Sequence, residues 1–205
     1  MKSLCLHTYY LIIDDFSKKK LYDGRQIMSH YTAQEYGVVG NSILMFRGPM
    51  RLSPNEMIDI KDVLREKHLA DILISSDDAL HFIIEEFDIQ PPNIEVQYYR
   101  LRILAYCVIE ALIERGISIK RDGTDIYVDD KKLNVGIATI GKTSGKIHFG
   151  LNLTSTGAPD YVKIIGLKDL GFSSDELESF AMSIAEKYIS EIKSIKNDCA
   201  KTRPI

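Results

Sequence analysis

The chain has 205 residues, 45% apolar and 27% charged, with a net charge of −3. That length suits a single domain spanning 1–205, large enough to bury a core without a disulfide or a metal. The charge argues against a nucleic-acid partner, and the longest apolar run, Leu101 to Ile113, is broken by Arg102 and Glu110 and does not read as a membrane span.

"TYYLIID" (8–14) is aromatic and β-branched and predicts a strand. "DGRQIMSHYTAQEYG" (23–37) predicts a helix capped by Asp23 and ended by Gly37. "NSILMFRGP" (41–49) predicts a strand stopped by Gly48-Pro49. Residues 53–72 fit a helix entered at Ser53-Pro54, or a strand followed by one. "DALHFIIEEFDI" (78–89) predicts a strand, broken by Pro91-Pro92. Residues 56–95 are rich in acids, among them Asp77, Asp78, Glu85, Glu86 and Asp88, which read as a solvated face.

The helix signal is clearest over 93–116. Asn93 can cap it, Gly116 can stop it, and Leu101, Leu104, Ala105, Val108 and Leu112 keep helical spacing. Four strand signals follow over 117–154, joined by turn residues such as Asp122-Gly123 and Asp129-Asp130, and predict an antiparallel meander. After a loop holding Gly157 and Pro159, Ser173 or Ser174 caps a last helix over 174–195, and a frayed tail is expected over 197–205. This order is α+β: a largely antiparallel sheet flanked by helices.

Cys5, Cys107 and Cys199 form no metal-ligand spacing, and their odd number without a signal peptide points to the cytoplasm. Cys107 falls on the apolar face of the long helix, as inert packing. "GIATIGKT" (136–143) fits the phosphate-loop pattern G-x-x-x-x-G-K-S/T. A working phosphate loop leads into a helix whose N-terminus faces the anion. Here the following "SGKIHFGLNLT" alternates with period two, so the match reads as a hairpin turn and Lys142 as incidental.

Alternation in that hairpin sets Ile147, Phe149, Leu151 and Leu153 toward a core and Lys146, His148, Gly150, Asn152 and Thr154 on the other face. Lys132, Asn134, Gly136 and Ala138 share a face of the preceding strand. The expectation is a polar surface where Lys132, Gly136, His148 and Asn152 meet, its glycines admitting a ligand or another backbone. Arg47 at a strand end can hold an anion, or pair with an acid of the 56–88 region. His81 and Glu85 share a strand face that His148 can join. A hydrogen-bonded pair is the commoner reason for such neighbours, so no metal is expected.

"DIYVDDKKLNVGIAT", "GKIHFGLNLT" and "VKIIGLKDLGFSSDELESFAMSIAEKYISEI" resemble the second half of biotin- and lipoate-protein ligases, which have the class II aminoacyl-tRNA synthetase fold. "FRGP" (46–49), "LHFIIEEFD" (80–88) and "IHFGLN" (147–152) make the whole chain similar to an uncharacterised, mainly archaeal family, domain of unknown function family 366. The resemblance implies a ligase-like domain that binds a small acidic metabolite or a nucleotide and transfers an acyl or adenylyl group, with ATP as the candidate cofactor. It puts the ligase lysine on Lys132, the small residue after it near Gly136, and the asparagine of the next strand on Asn152. Arg47, Gly48, His81 and His148 complete the candidate ligand-binding set. The ligases' R-R-x-x-G-G-G segment is absent. Its absence fits the alternative, a non-catalytic binding or assembly domain. A homodimer through an edge strand, 8–14 or 41–47, is a further expectation.

Overall fold

The computed structural model describes the backbone of residues 2–6 and, with their side chains, residues 8–52, 74–158 and 162–203. The ambiguous segment 53–72, Pro159 and the end of the tail lie outside the described residues.

β1 (Lys2–Leu6) and β2 (Tyr9–Ile13) form a hairpin. The chain returns through a 3-10 turn (Arg25–Ile27) and α1 (Tyr31–Tyr36) to β3 (Ser42–Leu52), which lies parallel to β2. β4 (Ile74–Glu86) pairs antiparallel with β3 and leads into α2 (Ile94–Ile113). β5 (Lys120–Asp122), β6 (Asp125–Val128) and β7 (Lys131–Lys132) form a small separate sheet. β8 (Asn134–Ile140) and β9 (Gly145–Asn152) return to the main sheet, whose order is β1-β2-β3-β4-β9-β8. A 3-10 turn at Ser174–Glu176 opens α3 (Leu177–Lys201).

The α+β architecture is the expected one. Several local expectations change for identifiable reasons. The helix over 23–37 is interrupted, because the His30 amide donates to the buried Glu85 carboxylate at 2.7 Å and His30 takes a positive φ of 63°. Asp23 accepts the Arg25 amide and Gly37, at φ 68°, ends α1. β3 continues past Pro49, because the register shifts between Gly48 and Met50 and the kink accommodates proline. The meander splits at Leu133, which is wholly buried in the core. The turn between β6 and β7 sets both Asp129 and Asp130 at positive φ. α3 runs to Lys201, so the fraying expected from residue 197 does not begin there. The strands expected as edges, 8–14 and 41–47, are interior: β2 is paired with β1 and β3, and β3 with β2 and β4. Among the described residues the edges are β1 and β8.

α2 and α3 cover one sheet face. There Leu80, Phe82, Ile84, Ile147, Phe149 and Leu151 meet Leu101, Leu104, Val108, Ile184 and Tyr188 in one core. Cys107 belongs to this core, and burial pushes its thiol up to about 12. Glu86, also on this side, accepts from Tyr9 and Tyr188 and lies 2.9 Å from Arg100. A smaller cluster on the second face gathers Ile12, Tyr22, Leu44, Phe46, Met50 and Ile83. Among the described residues no helix is long and apolar enough to cross a membrane.

Candidate functional site

The second face carries the candidate polar residues, and the ladder registers order them in rows. Ser42, Glu85, Lys146 and Thr139 form the first row; Leu44, Ile83, His148 and Ile137 the second. Phe46, His81, Gly150 and Val135 form the third, and Gly48, Ala79 and Asn152 the fourth. Opposed residues of a ladder share a face. Gly136 stands opposite Phe149 and Ala138 opposite Ile147, so both face the helices. A Cβ on Gly136 would meet Phe149 at 3.0 Å. Gly136 therefore leaves the ligand-binding set. The within-strand alternation is as expected, but the register brings Val135 and Ile137, not Gly136, beside Gly150 and His148.

His81 and His148 do meet, with Nδ1 of His81 3.1 Å from Nε2 of His148. Nε2 of His81 lies 3.1 Å from the Gly48 carbonyl, which can only accept. The His81 proton is therefore on Nε2, its Nδ1 accepts, and His148 donates from Nε2. Burial pushes His81 down to about 4 and His148 well below the usual imidazole range, the second further opposed by the charge of its neighbour. Both rings are neutral at pH 7.

A strap, residues 14–24, crosses this face. It bonds to β3 through the Lys20 amide to the Arg47 carbonyl, the Tyr22 amide to the Pro49 carbonyl and the Arg51 amide to the Tyr22 carbonyl. It lays the Tyr22 ring on His148 with centroids 3.7 Å apart, while Phe46 stacks on His81 at 4.7 Å. The histidines are thus a buried relay under an aromatic cover, not ligand contacts as expected. Glu85 stands at the other end of the face, 3.0 Å from Lys146. Among the described residues no three His, Cys, Asp or Glu side chains converge as a metal site.

Beyond the fourth row four segments are knit by main-chain bonds. The Asn152 amide donates to Leu133, the Leu153 amide to Asp78, the Lys168 amide to Leu153, and the Ile165 amide to Lys132. This corner collects charge. Arg47 holds Asp78 through Nε at 3.0 Å and Nη2 at 2.6 Å, the second of the two roles read for it. Lys19 Nζ lies 3.1 Å and Lys168 Nζ 4.0 Å from the same carboxylate. Burial works to raise the Asp78 pKa, but Arg47 and Lys19 outweigh it and hold it below the usual range. Lys132 Nζ pairs with Asp125 at 2.8 Å and is only partly covered. Gly48 sits at this end of the strand, and Asn152 is nearly buried in the same row. Arg47, Lys19 and Lys168 thus gather on one carboxylate, and Lys132 on the adjoining segment forms its own pair with Asp125.

Of the candidates, Arg47, Gly48 and Asn152 lie at this end of the sheet, with Lys132 on the adjoining segment; His81 and His148 lie beneath the strap; Gly136 belongs to the core. Sequence reading missed Lys19, Asp78, Asp125, Lys168 and Tyr22 as members. Asp125 stands seven residues before Lys132 across a hairpin, which is a readable spacing. The others carry no local signal. "GIATIGKT" runs from β8 into a turn closed by the Gly141 amide to the Ser144 carbonyl and then into β9, with Lys142 exposed. No helix follows it, so its amides do not form an anion cradle.

Comparison with known proteins agrees with this architecture. The Aquifex aeolicus biotin protein ligase in complex with biotin and ATP superposes with a TM-score of 0.59 at 15% identity, over 94% of this chain and 73% of that one. A Pyrococcus horikoshi protein of unknown function superposes with a TM-score of 0.86 at 34% identity, over 97% of this chain and all of that one. An uncharacterized protein of Methanocaldococcus jannaschii is 39% identical over 191 residues, 93% of this chain and 84% of that protein. The profile of the family described as "Domain of unknown function (DUF366)" matches residues 12–203. By that match the chain belongs to the DUF366 family, and its fold is the one found in biotin- and lipoate-protein ligases.

Proposed function

We propose that this chain is a ligase-like domain that binds a small acidic metabolite or a nucleotide at the cationic corner and transfers an acyl or adenylyl group there. The observation that carries the reading is the gathering of Arg47, Lys19 and Lys168 on the single carboxylate of Asp78, with the Lys132–Asp125 pair on the adjoining segment, in a chain whose total charge is negative. Asp125 holds Lys132 and Asp78 holds Arg47, so both cations are oriented before a ligand arrives.

Such an arrangement suits attack of a carboxylate on the α-phosphate of ATP. Charge builds on the phosphoryl oxygens as the new acyl–phosphate bond forms and pyrophosphate leaves. A preoriented lysine stabilises that charge more in the transition state than in the ground state. The Aquifex ligase's complex with biotin and ATP supports nucleotide binding on this fold. Gly48 contributes its carbonyl to His81 and lets the strap lie against β3, which keeps Arg47 in place.

The test is a thermal-shift titration with ATP, AMP, biotin and lipoate, followed by pyrophosphate exchange for any pair that binds. A ligand of the folded state raises the melting temperature with concentration. Lys132→Ala should leave stability within about 1 kcal/mol, since the pair is partly exposed. It should weaken binding by about ten-fold or more. No shift with any ligand, or an undiminished shift in Lys132→Ala, would favour the non-catalytic assembly reading.

A further inference from the structure

α2 turns one face to the core and the opposite face outward. At about 3.6 residues per turn, Tyr99, Arg102, Tyr106, Glu110 and Ile113 fall within an arc of roughly 80° on the outer side. All five are exposed, Tyr99 by 57%, Tyr106 by 64% and Ile113 by 58%. A large apolar side chain exposed singly is ordinary, but a stripe of them along one helix marks a contact surface. Tyrosine and arginine are also the residues enriched at the centres of protein interfaces. The strands expected to carry a homodimer are interior to the sheet, whereas this face is open.

The stripe is symmetric about its middle. Arg102 and Glu110 stand four residues either side of Tyr106, and Tyr99 and Ile113 stand seven either side. A second α2 laid antiparallel, with a twofold axis at Tyr106, sets Arg102 against the partner's Glu110 and Tyr99 against the partner's Ile113. The symmetry makes each contact twice, and the two Tyr106 rings meet on the axis. A parallel copy would set arginine on arginine and glutamate on glutamate. The charged groups have capacity to spare. Arg102 lies beside the turn at Gly123 and forms no ion pair among the described residues. Glu110 accepts from Lys187 through Oε2 at 3.0 Å, which leaves Oε1 for a guanidinium. Tyr99 donates its hydroxyl to Glu95, one turn back, so its polar tip is satisfied and its ring is left to pack.

We propose that the outer face of α2 is the interface of a homodimer, in which two antiparallel α2 helices meet about a twofold axis at Tyr106. The proposal does not rest on the ligase-like reading, because it uses no residue of the cationic corner. It is tested by sedimentation velocity of the full chain over a concentration series. The expected result is a passage from monomer to dimer in the micromolar range. Arg102→Glu and Glu110→Arg each set like charges against each other twice across the axis. Each should weaken dimerisation by about ten-fold or more and leave the circular-dichroism spectrum unchanged. Mixed in equal amounts, the two variants form a heterodimer in which every facing pair is again opposite in charge, so the dimer should return. A wild type that stays monomeric, an undiminished dimer in either variant, or a mixture no tighter than its components would overturn the proposal. Where one variant does not fold, Tyr106→Lys, which sets two cations on the axis, takes its place; it should be monomeric, and a dimer would overturn the proposal.

Discussion

A Cβ on Gly48 would stand 2.0 Å from the Lys20 carbonyl oxygen, so no other residue lets the strap lie where it does. That closeness carries Tyr22 over His148 and seals the histidine relay. The relay has a pH signature. Folded His81 titrates near 4, against 6.5 for a free imidazole. Between those values the unfolded chain takes up a proton that the folded chain refuses. Stability is therefore full above about pH 6.5 and falls as the pH drops toward about 4, by up to about 1.4 kcal/mol per pH unit for one histidine. His148, also pushed well below the usual imidazole range, acts in the same direction. The window lies above the range in which Asp88 protonates; despite burial, Arg100 and Lys196 hold that carboxyl at about 2. Urea midpoints should thus fall from pH 7 to pH 5 in the wild type, and less steeply in His81→Gln, whose amide can still donate. Parallel profiles would contradict the neutral relay. The meeting of His81 with His148 was legible, because period-two alternation sets them on facing strands. Tyr22 as their cover was not, because it comes from an irregular segment far away in sequence.

At the scale of elements, legibility followed local patterning. α2 was readable because its start, stop and buried face are all written within one stretch. The Asn93 side chain accepts the Glu95 and Val96 amides at 2.9 and 3.2 Å, and Gly116 takes φ 77° beyond its end. Asn93→Ala should cost about 1 kcal/mol, seen as a lower denaturation midpoint, while Asn93→Asp should retain most of the stability. An unchanged midpoint in Asn93→Ala would mean that packing alone sets the start of α2. The segment 23–37 was misread because its helical pattern is sound, yet Glu85 takes the His30 amide away from the helix. The β8–β9 hairpin was read correctly in alternation and wrongly in facing. Only the register tells which of Gly136 and Val135 lies beside Gly150, and a slip of one residue exchanges the faces.

Across the whole molecule, charge is the quantity that local reading divides badly. The acids of 56–95 read as one solvated face, but Asp78, Glu85 and Glu86 are buried, each within 4.0 Å of a cation. Asp78 alone of these stands in the cationic corner, where three cations gather on it although the chain is negative. Nucleotide binding there should weaken as salt is raised, because exposed Lys19 and Lys168 and half-buried Lys132 contribute through screened interactions. Lys142→Ala, at the exposed hairpin turn, should leave both affinity and its salt dependence unchanged. Calorimetric titration at low and high salt checks both, and loss of binding in Lys142→Ala would return the anion site to "GIATIGKT". By itself the sequence determined the α+β class, α2 with its caps, the strand alternation and the turn character of the phosphate-loop match, and it offered an acid partner as one of two roles for Arg47. These depend on neighbours within a few residues or on the sign of a charge. The tertiary structure alone decided which hairpin face meets the helices, which strands are edges, that Tyr22 covers the histidines, and that Lys19, Lys168 and Asp78 join Arg47. Those outcomes are set by packing and pairing between distant segments, and no local periodicity encodes them.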